Sequence, residues 1–103
     1  MGTNNKLFPK IINTLKILGE NIKTARLRRK ISMEQIAERA GISRATVWAV
    51  EKGSPSVSIG TYAQILFILG LDKDILQVAA DDELGRKLQD AELLTKKRAP
   101  KRK

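Results

Sequence analysis

Two serines eleven positions apart, Ser32 and Ser43, with Gly41 between them, restrict what the middle of this chain can become. Ser32 stands three residues before Gln35, the spacing at which a hydroxyl caps a first helical turn and the glutamine returns the bond. Ile36, Ala37 and Ala40 then recur on one helical face, and Gly41 supplies the positive φ that ends a helix abruptly. Ser43 caps the next run, which buries Val47 and Val50 and stops before Gly53. Two helices of about eight residues joined by so short a turn must cross steeply, and Ala37 is small where they approach.

The remaining apolar residues keep helical spacing too. Ile11, Leu15, Leu18, Ile22 and Ala25 follow one another at steps of three and four, and Pro9 suits the first turn of such a helix. Gly19 interrupts the run, which predicts either one bent helix or a short helix followed by a second over Gly19–Arg29. After the turn at Gly53, Ser58 or Ile59 opens a fourth helix that ends at Gly70. Asp72 or Asp74 starts a fifth, carrying Ile75, Leu76, Val78 and Ala79. Strand-like alternation and internal repeats are absent. The expected fold is all-α: a five-helix domain over residues 19–80, with a partly helical N-terminal extension (1–18), an acidic segment (81–94) and a disordered basic tail (95–103).

Composition removes several chemistries. The chain has neither Cys nor His, which excludes disulfides, thiolate nucleophiles, Ser-His-Asp triads and the usual zinc sites. Acid, base and nucleophile do not cluster anywhere, so neither catalysis, a cofactor nor a metal is expected. Apolar runs are too short for a bilayer and the first residues lack a signal-peptide layout, so a cytoplasmic, nucleoid-associated protein without a membrane is expected. The net charge of +9 points to a polyanionic partner. It is unevenly spread: residues 1–58 carry a net +7, residues 59–94 a net −4 and residues 95–103 a net +6.

The stretch from Ser32 to Gly53 therefore reads as a helix-turn-helix. Residues Gly19 to Leu71 resemble the Xre or lambda-repressor-like helix-turn-helix family. The match is carried by Arg26, by Ser32 to Ala37 (SMEQIA) and by Gly41 to Gly53 (GISRATVWAVEKG). One position departs: where the family has a phosphate-contacting Gln at the start of the second helix, this chain has Met33. The strings Gly53 to Leu71 (GSPSVSIGTYAQILFILGL) and Asp81 to Asp90 (DDELGRKLQD) are similar to HipB-like regulators encoded beside HipA-type kinases. That resemblance implies a dimeric antitoxin or autoregulator on double-stranded operator DNA, with a HipA-like kinase toxin or an accessory protein of the operon as a further partner. It also implies an interhelical ion pair between Arg26 and Glu51.

Roles follow for individual residues. Arg44, Trp48 and Lys52 share a stripe facing away from Val47 and Val50, with Ala45 and Ala49 beside it. A major groove accepts such a helix, so Arg44 is the candidate for a bidentate guanine contact, and Ala45 and Ala49 suit a thymine methyl. The alternative for Arg44 is a solvated or phosphate-bound cation. Trp48 either flanks the bases or covers a neighbouring helix or subunit. Ser43, Thr46, Lys52, Arg28, Arg29, Lys30, Ser56, Ser58 and Thr61 are the candidate phosphate contacts, through charge or helix N-termini. Phe67 and Ile68, surplus apolar residues on the fourth helix, suggest a homodimer interface. A competing reading uses the fold mainly to hold a protein partner such as a kinase, with the acidic half and the apolar fourth helix carrying the function.

Overall fold

The computed structural model describes residues 6–98, with side chains through Thr95. The elements are α1 (Pro9–Arg28), α2 (Met33–Ala40), α3 (Arg44–Glu51), α4 (Ile59–Ile68), a 3-10 helix (Asp72–Gln77) and α5 (Glu83–Arg98). Strands do not occur among the described residues, and the fold is all-α. The chain divides into two compact units between Lys73 and Asp74.

Among the described residues, the first unit holds the whole core. Ile22, Ile36, Val47, Val50 and Ile65 are fully buried, and Ala25, Ala37, Ala40, Tyr62, Leu66 and Leu69 complete it. The expected caps are present: Ser32 and Gln35 form a reciprocal capping box, and Gly41 ends α2 at φ +70°. A Cβ at Gly41 would meet nothing, so glycine is needed there for its backbone angle alone.

Of the two expectations built on Gly19, the single continuous helix holds and the break into two does not. α1 is a single helix of 20 residues that runs through it, with no break between residues 18 and 19. A Cβ at Gly19 would lie 2.6 Å from the Glu51 carbonyl oxygen and 2.7 Å from the Gly53 nitrogen. The glycine is where α1 crosses the end of α3, backbone against backbone. Gly53 forms the other half of the crossing, since a Cβ there would overlap the Leu15 carbonyl. The α1 stripe is well covered only below this point: Ile22 and Ala25 are buried, Leu15 and Leu18 half-buried, and Ile11 exposed.

The fifth helix expected from Asp72 or Asp74 is instead one 3-10 segment. Val78 donates to the Ile75 carbonyl at 3.1 Å and Ala80 to the Gln77 carbonyl at 3.1 Å, both three residues back. Only Ile75 of its apolar residues is even half-buried, while Leu76 and Val78 are 70 % and 74 % exposed. Burial is what holds a short helix together, and without it the tighter turn wins. In the second unit, α5 begins behind Asp82, whose Oδ1 accepts the Gly85 N–H at 3.1 Å. It carries the first part of the basic block, Thr95–Arg98, as its last turn. The rest of the expected disordered tail, 99–103, lies outside the described residues, as do residues 1–5 of the N-terminal extension.

Candidate nucleic-acid interface

α3 is anchored by one face and open on the other. Val47 and Val50 are fully buried, whereas Arg44, Ala45, Trp48 and Lys52 are exposed and Ala49 is half-buried. Trp48 is 54 % exposed. The Lys52 ammonium lies 5.3 Å from its ring centroid, a cation–π contact that holds both side chains on the open face. Arg44, Ala45 and Trp48 line one shallow groove together with Met33. In the sequence Met33 registers only as the departure from the family pattern. Its signal is its position three residues before the buried Ile36, at the edge of the α2 stripe.

The two short helices α3 and α4 begin alike. Ser43 Oγ accepts the Thr46 N–H at 3.1 Å, and the two hydroxyls are 2.9 Å apart. Ser58 Oγ accepts the Thr61 N–H at 3.2 Å, and its hydroxyl is 3.1 Å from that of Thr61. Each serine is exposed, at the positive end of its helix. The loop between them is pinned from below. Tyr62 Oη donates to the Ser54 carbonyl at 2.7 Å, and the Ser56 N–H donates to Ser54 Oγ at 3.2 Å. Burial pushes the Tyr62 phenol above its ordinary range.

The candidate cations of α1 lie in another turn. Arg28, Arg29 and Lys30 are exposed at the α1–α2 junction and do not line the groove at Arg44. Arg29 Nη1 is already engaged, donating to the Ala25 carbonyl at 2.9 Å. Lys30 closes the helix with φ +57°.

One buried ion pair sets the relation between α1 and α3. Arg26 Nε donates to Glu51 Oε2 at 2.6 Å and Nη2 to Oε1 at 3.1 Å, a bidentate fork. Nη1 donates to the Ile31 carbonyl at 2.9 Å, which ties the α1–α2 turn into the same contact. Arg26 is 7 % and Glu51 6 % exposed, so the carboxylate is a structural partner enclosed with its cation. On α4, Phe67 is 68 % exposed and Ile68 half-buried.

Among the described residues no group of three or more acidic side chains could hold a metal ion. Nor is any described helix long and apolar enough to cross a membrane. No curated protein matches the chain. Residues 17–77, which include α2, α3 and α4 and the crossing of α1 on α3, match the helix-turn-helix domain. The chain belongs to the helix-turn-helix domain family, and its fold is that of a DNA-binding regulator.

Proposed function

We propose that the protein is a sequence-specific transcriptional repressor that binds operator DNA as a homodimer. In this reading it is the antitoxin or autoregulator of a HipA-type kinase operon, acting in the cytoplasm at the nucleoid. The observation that carries the DNA contact is the open face of α3, where one arginine, one alanine and one tryptophan surround a groove over a rigid core. The N-terminal residues of such a helix reach base edges in a major groove. Arg44 then reads a guanine, Ala45 admits close approach, and Trp48 packs beside the bases. The capped ends of α3 and α4 meet phosphates on either side, and Lys52, Arg28 and Lys30 add charge. Phe67 and Ile68 form part of the contact between copies. Repression follows from occupancy of the operator, with no covalent step.

A gel shift with the DNA upstream of the protein's own gene tests this reading. Specific retardation at moderate salt is the expected result, and its absence removes the proposal in favour of a protein-binding role for the acidic segment. Arg44→Ala should lose about 1–3 kcal/mol on the operator and relax one base position. Arg28→Ala should weaken all sequences alike and flatten the salt dependence by about one unit of slope. Arg28 is the better control because Arg29 also holds the end of α1. If both variants weaken all sequences equally, Arg44 is a phosphate contact. A kinase gene adjacent to this one would support the antitoxin role.

A further inference from the structure

Helix α5 lies outside the matched residues 17–77, and none of its described side chains is buried. Leu84, Leu88 and Ala91 recur at steps of four and three, and Leu94 widens the same face to about a third of the circumference. The three leucines are 66 %, 62 % and 61 % exposed. A helix of 16 residues has little stability in water by itself and ordinarily gains it by packing such a face. Two solvent-exposed ion pairs lie near its start. Lys87 pairs with Glu83 at 3.2 Å, and Arg86 with Asp81 at 2.5 Å. The leucines have no comparable cover.

The charges say what fits there. Asp81, Asp82 and Glu83 stand at the start of α5, and Lys96, Lys97 and Arg98 in its last turn. A second copy of the helix laid antiparallel sets each acidic end beside a basic end, whereas a parallel copy sets like beside like. The four-three spacing is that of a two-helix seam. One antiparallel register places Leu88 opposite the partner's Ala91 and Leu84 opposite the partner's Thr95. The same register aligns the acidic run with the basic one. We infer that α5 is a self-association surface that pairs antiparallel with α5 of a second copy. It is a contact separate from Phe67 and Ile68, and it deepens the homodimer part of the proposed function without resting on the DNA contact.

The chain has no cysteine, so single introduced cysteines report the geometry cleanly. In the antiparallel register a Leu84→Cys chain mixed with a Thr95→Cys chain should cross-link on oxidation. Either variant alone should not, because two copies of position 84 lie roughly 16 Å apart along the seam, beyond disulfide reach. Sedimentation of the full-length wild type should show a mass of two chains as concentration rises. Leu84→Lys/Leu88→Lys should weaken that association by about tenfold or more and lower the helix content at dilute concentration. Thermal melting of the same variant checks that the core, which lies elsewhere, is intact. The inference is overturned by a wild type that stays monomeric, by self-linking of Leu84→Cys, or by a leucine variant that associates as tightly as wild type. Arg44→Ala should associate normally, so loss of operator binding and loss of pairing are read separately.

Discussion

Removing the Glu51 carboxylate strands a guanidinium that three acceptors now satisfy, two of them on Glu51 itself. Breaking a buried pair by deleting one partner costs about 3–5 kcal/mol, because the remaining charge stays desolvated. Glu51→Ala should therefore lower stability by that amount in urea titrations, a large part of what a domain of this size has. Arg26→Met combined with Glu51→Leu should recover much of it, since neither charge is left behind. Tyr62 makes a second prediction at this scale. Its pKa is raised in the folded state by burial. The unfolded chain then loses the phenolic proton first as pH rises, so stability present below about pH 10 declines as pH climbs toward the folded value. Tyr62→Phe should abolish that alkaline decline while costing about 0.5–1.5 kcal/mol at neutral pH through the lost bond to Ser54. As the only tyrosine, its titration can be followed directly by near-ultraviolet absorbance.

Among the elements, the crossing of α1 on α3 is the least tolerant of change. Gly19→Ala would ordinarily strengthen a helix interior by up to about 1 kcal/mol. Here the added carbon meets backbone at 2.6 Å and 2.7 Å, so the helices must separate, and a net loss of about 1–3 kcal/mol or more is expected by denaturation. Gly60→Ala is the matching control. Its nearest atom would be Ser58 Oγ at 3.8 Å, and a gain of about 0.4–1 kcal/mol is expected in the same measurement. These two glycines also show what was legible in the sequence. The caps at Ser32 and Ser43 and the turn at Gly41 are local events, decided by side chain and backbone within a few residues, and they read correctly. Gly19 carries a local signal for a break and a tertiary reason for being small, and only the second operates. The segment after Gly70 failed for the converse reason: Ile75, Leu76 and Val78 have helical spacing, but two of the three find nothing to bury against. At the interface, Arg44 and Trp48 could be placed outward from the positions of Val47 and Val50. The groove that Met33 shares with Arg44 and Trp48, and the bond from Arg29 to the Ala25 carbonyl, are side-chain contacts that spacing does not reveal.

At the scale of the whole molecule, every buried apolar residue among those described falls between Ile22 and Leu69. A chain ended after Ala80 should keep the melting behaviour of the full-length protein within about 0.5 kcal/mol, as measured at low concentration where copies do not meet. A larger loss would mean that the second unit supports the first. Within the first unit, the open face of α3 and the core separate signals that are usually mixed. The only tryptophan stands on the open face of α3 beneath a lysine, and the only tyrosine lies in the core. Emission from Trp48 should therefore respond to whatever lands on α3 and change little when the core loosens. Tyr62 should do the opposite. The protein thus has two native optical reporters, one for occupancy and one for folding, and a stopped-flow trace can tell binding from unfolding without any attached dye.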